Sequence, residues 1–164
     1  MQRRDFLKLS LGAASWLALC KTIRLSQAWA QQTIERIVMS NDEWKKKLSP
    51  EQYDVLREEG TERPFTSPLN NEHHEGIFVC AGCGLELFPS NYKFDSGTGW
   101  PSFYDTIPGH VETKTDHKLF MERTEYHCAR CGGHQGHVFH DGPQPTGLRY
   151  CNNGVSLKFV SKKA

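Results

Sequence analysis

The sequence lacks several features that would each have indicated a particular class of protein. Its 164 residues contain no run of about 18 apolar side chains, which excludes a polytopic membrane protein. Its 20 Lys and Arg residues are matched by 19 Asp and Glu residues, so no basic excess favours nucleic acid as a partner. Apart from two Cys-x-x-Cys units there is no internal repeat, and there is no low-complexity tract. The 11% of aromatic residues supply large side chains for a folded core.

The N-terminal segment has the pattern of an export signal. Arg3 and Arg4 precede an apolar run of 12 residues from Leu9 to Cys20, and an Ala-x-Ala-like cleavage site ends at Ala30. The paired arginines are similar to the bacterial twin-arginine signal. The alternatives are an amphipathic N-terminal helix and a lipoprotein signal acylated on Cys20. The export signal predicts a protein that is periplasmic or otherwise exported and has no stable membrane insertion.

The rest of the chain divides into a helical start and a β-rich remainder. Ser49, Pro50 and Gln52 supply the N-cap, first-turn proline and N3 glutamine of a helix over about 50–59. A shorter helix over 42–48 precedes it, capped by residue 40 or 41. The segments that we expect are a signal peptide over 1–30, a polar lead-in over 31–40 and one domain over 41–164.

From residue 76 onward, short runs of β-forming residues are separated by turn residues. Residues 115–117 are predicted as a hairpin tip. Such closely spaced strands predict a mainly β fold, with two small antiparallel sheets forming a barrel-like sandwich and short N-terminal helices. The predicted strands are 76–80, 85–88, 111–115, 118–123, 125–128, 136–139, 148–151 and 155–159.

Four cysteines form two Cys-x-x-Cys units, Cys80 with Cys83 and Cys128 with Cys131. Two such turns supply the four thiolates of a tetrahedral zinc site, so we expect structural Zn²⁺. The alternative is redox chemistry, either as dithiols or as two disulfides. The thioredoxin-like form of that motif belongs to a βαβ context, which this sequence does not show.

A fifth cysteine, Cys151, stands alone at the end of a predicted strand. It could be a buried structural thiol. However, Arg149 lies two residues away on the same strand face, and a nearby cation favours a nucleophilic thiolate. Asn153 shares that face, and His134 or His137 could supply a proton. The two histidines could instead be zinc ligands or structural groups.

Taken together, these motifs closely resemble the B-type methionine sulfoxide reductase family, which reduces the R epimer of methionine sulfoxide. The resemblance covers about residues 41–159. Its motifs, in chain order, are Cys80-x-x-Cys83, Gly99-Trp100-Pro101-Ser102-Phe103-Tyr104, Cys128-x-x-Cys131, Gly136-His137-Val138-Phe139, Asp141-Gly142-Pro143-x-Pro145-Thr146-Gly147 and Arg149-Tyr150-Cys151-x-Asn153.

The resemblance implies a role for each matching residue. It makes Cys151 the nucleophile that attacks the sulfoxide sulfur and becomes a sulfenic acid, a step on the cysteine oxidation ladder. His137 would donate the proton, and the other implied roles are assistance by His134, positioning by Arg149 and Asn153, and an apolar wall for the S-methyl group from Trp100 and Phe139. The implied substrates are methionine sulfoxide in peptides or proteins, and the implied fold is two antiparallel sheets joined by a remote zinc.

One position departs from the family pattern. Many members carry a resolving cysteine just before Gly-Trp-Pro, whereas this chain has Thr98 there. A hydroxyl cannot form a disulfide with a sulfenic acid, so we expect an external thiol or thioredoxin-like reductant. Two other classes stay open on the sequence: a zinc-stabilised binding module without chemistry, and a thiol peroxidase that uses the same sulfenic step.

Overall fold

Two short helices begin the fold, α1 (Asn41–Lys47) and α2 (Pro50–Glu58). Each starts with a capping box, in which a serine accepts a hydrogen bond from the third backbone N–H and the side chain at that third position bonds back to the serine N–H. Ser49 and Gln52 fill these positions in α2 as predicted, and Ser40 and Glu43 fill them in α1. Both predicted helices are therefore confirmed, within a residue at each end.

The computed structural model describes residues 34–117 and 122–162, all of which belong to one compact unit. The expected signal peptide over 1–30, the start of the lead-in and most of the predicted strand 118–123 lie outside these residues. Within the described ranges, no helix has the length and apolar character needed to cross a membrane.

Nine strands in the described residues form two antiparallel sheets. The smaller sheet has the order β2-β1-β9, and the larger has the order β3-β4-β8-β7-β6-β5. The strands are β1 (Gly76–Cys80), β2 (Glu86–Pro89), β3 (Lys93–Phe94), β4 (Ser102–Phe103), β5 (Val111–Asp116), β6 (Arg123–Cys128), β7 (His134–Phe139), β8 (Arg149–Asn152) and β9 (Leu157–Ser161). The predicted mainly β fold with two sheets is confirmed, and neither sheet closes into a barrel within the described ranges.

The hairpin between β5 and β6 differs from the sequence prediction. Residues 115–117 were expected to form its tip, but β5 continues to Asp116, which pairs with Arg123 on β6. The Arg123 guanidinium donates to the Asp116 carboxylate at 2.6 Å, and this ion pair extends the ladder. The predicted break at residue 124 is also wrong, because β6 runs without interruption from 123 to 128. The two-residue strands β3 and β4 were not predicted.

The core lies between the two sheets and under the helices. Phe88 stacks on Phe103 with ring centroids 4.2 Å apart, and Phe78 meets Phe103 edge-on at 5.0 Å. Trp44 of α1 is 1% exposed and carries the helical start into the same cluster. Such aromatic pairs stabilise a small core beyond their buried area. The core therefore holds the two sheets together.

Strands β7 and β8 approach each other with no space for a side chain at residue 136. A Cβ built on Gly136 would lie 1.9 Å from the Cys151 carbonyl oxygen. Glycine is required at this position for steric reasons. The close approach sets the distance between the strand that carries the histidines and the strand that carries Cys151.

Candidate active site and candidate metal centre

Each Cys-x-x-Cys unit forms the same kind of turn at the end of a strand. The Gly84 N–H bonds to the Cys80 carbonyl, and the Gly132 N–H bonds to the Cys128 carbonyl, both at 2.8 Å. The two glycines have φ of +74° and +67°, in the left-handed region that favours glycine. One unit follows β1 and the other follows β6, so each sheet contributes two cysteines.

The turns bring four sulfur atoms together in what we call the cysteine cluster: Cys80, Cys83, Cys128 and Cys131. All four lie within 4.8 Å of one another; the Cys83–Cys128 and Cys80–Cys131 sulfurs are 3.5 and 3.7 Å apart. Tetrahedral zinc with bonds of about 2.3 Å needs sulfurs about 3.8 Å apart. The four soft donors therefore fit such an ion. No histidine belongs to the cluster among the described residues, so the alternative of His134 or His137 as a ligand is not supported.

Cys151 lies in the middle of the larger sheet. On β8 it is directly opposite His137 of β7 and opposite Ser102 of β4. Arg149 is likewise opposite Phe139. Since cross-strand partners and alternate residues share one sheet face, four of the predicted site residues occupy a common surface. Unlike the cluster cysteines Cys80, Cys128 and Cys131, Cys151 is only partly buried.

Arg149 and Thr98 both affect the ionisation of Cys151. Burial raises the pKa of this thiol above its ordinary value, while the Arg149 charge and hydrogen bonds from the Thr98 hydroxyl and Arg149 lower it; burial prevails. Thr98, at the position where the sequence analysis expects a resolving cysteine in other members, is therefore close enough to the sulfur to affect its pKa. Its hydroxyl also lies 2.8 Å from the Ser96 hydroxyl, which in turn lies 2.8 Å from that of Ser102.

Arg149 is held in place by a fork of two hydrogen bonds. Its Nε and Nη2 donate to the two carboxylate oxygens of Asp141 at 2.8 and 2.9 Å. The guanidinium also stacks over the Phe139 ring, 4.4 Å from its centroid. A bidentate pair fixes orientation as well as charge, so the cation beside Cys151 has little freedom to move away.

His137 has its partner on the neighbouring hairpin. Its Nε2 lies 2.8 Å from the Asp116 carboxylate, which Arg123 also contacts. Because a carboxylate only accepts, Nε2 carries the hydrogen and Nδ1 is the remaining nitrogen. Burial lowers the pKa of His137 and outweighs the opposing effect of Asp116.

His134 is bound to a deeply buried carboxylate. Glu125 is 2% exposed and lies between two imidazoles, 2.6 Å from Nδ1 of His134 and 3.0 Å from Nδ1 of His127. Burial alone would raise the pKa of Glu125, but hydrogen bonds from the two histidines hold it at about 2. The ring centroids of His134 and His137 are 5.5 Å apart, so the two predicted histidines are neighbours.

Trp100 and Asn153 are joined through one loop residue. The Trp100 indole N–H donates to the Glu62 carbonyl at 3.1 Å, and the Glu62 N–H donates to the Asn153 side-chain oxygen at 3.1 Å. The Asn153 amide nitrogen donates to the Gln135 carbonyl at 3.0 Å. Asn153 thus braces the backbone around the site, and the same loop fixes the Trp100 ring.

Sequence reasoning missed the groups that orient the site. Asp116, Glu125, Asp141 and Glu62 were not among the predicted residues, although each holds a predicted one. The Glu125–His137 pairing across β6 and β7 could have been found only by aligning the strands in register.

Residues 48–161 match the family model described as "SelR domain". The chain therefore belongs to this family. Among its curated relatives, the "Peptide methionine sulfoxide reductase MsrB" of Methanosarcina barkeri is 56% identical over 135 residues, covering 82% of this chain and 93% of the relative. The protein of the same name from Bradyrhizobium diazoefficiens is 50% identical, covering 84% and 100%. The "Peptide methionine sulfoxide reductase B1, chloroplastic" of Arabidopsis thaliana is 53% identical, covering 73% and 60%.

Proposed function

We propose that this chain reduces the R epimer of methionine sulfoxide, in peptides or proteins, to methionine. Curated relatives with 50–56% identity over most of the chain are peptide methionine sulfoxide reductases. The observation that carries the proposal is the shared sheet face on which Cys151 is directly opposite His137 and two residues from Arg149. This face combines a nucleophile, a proton donor and a fixed cation.

The reaction balances as a two-electron exchange between two sulfur atoms. The Cys151 thiolate attacks the sulfoxide sulfur, the S–O bond breaks, and the oxygen ends on Cys151 as a sulfenic acid. Methionine sulfur is reduced and cysteine sulfur is oxidised. His137 takes the Cys151 thiol proton on Nδ1, because its Nε2–H is held by Asp116, and then delivers that proton to the departing oxygen. His134 supports the adjacent ring, and Arg149 stabilises the thiolate.

We assign the discrimination between the two sulfoxide epimers to the apolar groups beside this face. Trp100 is fixed by its bond to Glu62, and the segment that follows it is joined to β8 because the Asn152 N–H donates to the Pro101 carbonyl at 2.9 Å. Phe139 is held under Arg149. Two aromatic walls can accept the S-methyl group of only one sulfoxide epimer when the oxygen must face the proton donor.

The second half of the cycle uses an external thiol. Thr98 occupies the resolving position and has no sulfur, and the four other cysteines of the domain form the cysteine cluster. Two thiols from a thioredoxin-like domain or a small-molecule reductant therefore convert the sulfenic acid back to a thiol, releasing water and a disulfide. With the expected export signal, this would occur in the periplasm during repair of oxidised proteins.

Structural Zn²⁺ is proposed for the cysteine cluster. When bound, it would hold the ends of β1 and β6 together and take no part in the reaction. Cys80 and Cys83 would anchor it to the smaller sheet, and Cys128 and Cys131 to the larger one. The support is the close spacing of four soft sulfur donors, all within 4.8 Å of one another.

The test is an assay of the purified full chain with both epimers of a peptide containing methionine sulfoxide, with dithiothreitol as reductant. We expect turnover of the R epimer only, and loss of at least about a thousandfold in Cys151→Ser, the order lost when a nucleophile is removed. Circular dichroism should show both proteins folded.

Three results would contradict the proposal. Turnover by Cys151→Ser would show that Cys151 is not the nucleophile. Faster turnover of a hydroperoxide than of either sulfoxide would favour a thiol peroxidase. Binding of the peptide without turnover would favour a binding module.

A further inference from the structure

Four polar side chains are completely buried between the cysteine cluster and the strand that carries Cys151. They form one hydrogen-bonded line, and each has 0% exposure. Burying polar groups costs free energy unless every one finds a partner, and apolar residues of similar size fill such space without that requirement. We call this group the polar line, and its members are Gln135, Ser156, Asn152 and Tyr126.

One end of the polar line touches the cysteine cluster. The Gln135 side-chain nitrogen lies 3.5 Å from the Cys80 sulfur and 3.3 Å from the Gly133 carbonyl oxygen. A carbonyl oxygen only accepts, so the amide must face it with nitrogen rather than oxygen. The orientation of Gln135 therefore follows from its surroundings, and an N–H points toward the Cys80 sulfur.

The polar line then runs to the strand of Cys151. The Gln135 side-chain oxygen lies 2.9 Å from the Ser156 hydroxyl, which accepts from the Asn152 amide at 3.0 Å. The Tyr126 hydroxyl donates to the Asn152 oxygen at 2.7 Å. Asn152 directly follows Cys151 on β8, so the far end of the line lies beside the nucleophile.

The backbone of Gln135 makes the second connection. Its carbonyl accepts both the backbone N–H of Asn153 at 2.8 Å and the Asn153 side-chain N–H at 3.0 Å. One residue therefore touches a cluster sulfur through its side chain and the end of β8 through its backbone.

The chemistry of the cluster explains what such a donor does. Four thiolates around one divalent ion leave an excess of negative charge on the sulfurs, and Cys80 is 0% exposed to water. A buried anion is stabilised by N–H donors, and groups outside the ligand shell typically change metal affinity by 10–100-fold.

We propose that Gln135 is an outer-shell residue of the metal centre, whose side-chain N–H stabilises the Cys80 thiolate and thereby sets how tightly the cysteine cluster holds its metal. The polar line keeps the Gln135 amide in the orientation that this bond requires. The inference rests on the proposed metal centre, and it is independent of methionine sulfoxide reduction.

The test compares metal retention in Gln135→Met and Tyr126→Phe. Methionine has a similar shape to glutamine and removes the N–H donor, whereas Tyr126→Phe removes one bond at the far end of the polar line. We expect zinc competition with a chromogenic chelator to show affinity about 10–100-fold weaker in Gln135→Met, and within about threefold of the original chain in Tyr126→Phe. Cobalt-loaded Gln135→Met should also show shifted sulfur-to-metal charge-transfer bands.

Two outcomes would overturn the inference. Unchanged zinc affinity and unchanged cobalt bands in Gln135→Met would mean that the N–H does not act on the cluster. Equal weakening in both variants would indicate general loosening of the core. If Gln135→Met does not fold, Ser156→Ala replaces it, because the amide then loses the partner of its oxygen; intermediate weakening supports the inference, and none contradicts it. All readouts are independent of sulfoxide turnover, so a failed activity assay leaves them intact.

Discussion

Five cysteines of this domain occupy two different environments. Four of them lie within 4.8 Å of one another at the ends of two strands, whereas Cys151 faces an arginine, a threonine and a histidine in the middle of a sheet. The four cluster sulfurs lie next to one another, and together they are suited to bind a soft metal ion. Cys151 has a cation, a hydroxyl and an imidazole nearby, which suit a single anionic sulfur and one proton transfer. Under the proposed function, the same side chain would serve structure in one place and chemistry in the other, according to what surrounds it.

The largest effect should come from replacing a cluster cysteine rather than Cys151. We expect Cys83→Ser to lose its metal and unfold at room temperature, because structural zinc contributes on the order of 10–16 kcal/mol in small zinc domains. Metal content per chain and circular dichroism measure both effects. Cys151→Ser is the matched control and should keep the metal and the melting temperature. A folded, active and metal-free Cys83→Ser would remove the structural distinction between the two environments.

The next largest effect is expected from placing a cysteine at position 98, where this chain has no resolving cysteine. Because the Thr98 hydroxyl is near enough to lower the pKa of Cys151, Thr98→Cys should place a second sulfur within bonding reach. After one turnover without reductant, mass spectrometry should show a loss of about 2 mass units in this variant, for a disulfide, and a gain of about 16 in the original chain, for a sulfenic acid. Ser96→Cys is the control and should behave like the original chain. A disulfide that contains Cys151 in the original chain would contradict the proposed external reductant.

The smallest effect concerns the ionisation of Cys151. Burial holds the pKa of this thiol above its ordinary value, and Thr98 opposes that rise. Removing the donor in Thr98→Val should therefore raise the pKa further, by about one unit for a hydrogen bond to a charged group. The thiolate exists above the pKa, so alkylation by iodoacetamide at pH 7 should become about tenfold slower, with the midpoint moved to higher pH. Thr98→Ser keeps the hydroxyl and should change neither the alkylation rate nor its pH midpoint. A lower pH midpoint in Thr98→Val would have the opposite sign and would show that the Thr98 hydroxyl does not stabilise the thiolate.

The parts of this molecule that sequence could predict are those encoded locally. The capping residues of α2 and the glycines that follow each Cys-x-x-Cys unit are neighbours in the chain of the groups they serve. The cluster itself followed from spacing and the known preference of zinc for four thiolates. The predicted strand bounds mostly fall within two residues of the observed ones.

The groups that orient the site could not be predicted because their partners are distant in sequence. Asp116 meets His137 across 21 positions, and Glu62 meets Trp100 across 38. The ion pair between Asp116 and Arg123 extends β5 beyond the predicted turn, which brings that carboxylate to the histidine. Register between strands is decided by packing of the whole sheet, and no local pattern of residues shows it.

The position of the two Cys-x-x-Cys units has a consequence for the order in which the chain assembles. One unit ends a strand of the three-stranded sheet and the other ends a strand of the six-stranded sheet, with 44 residues between them in sequence. Closing so long a loop is entropically unfavourable until other contacts have drawn its ends together. Zinc capture by all four sulfurs should therefore be a late folding event, whose rate follows the meeting of the sheets rather than the concentration of the ion.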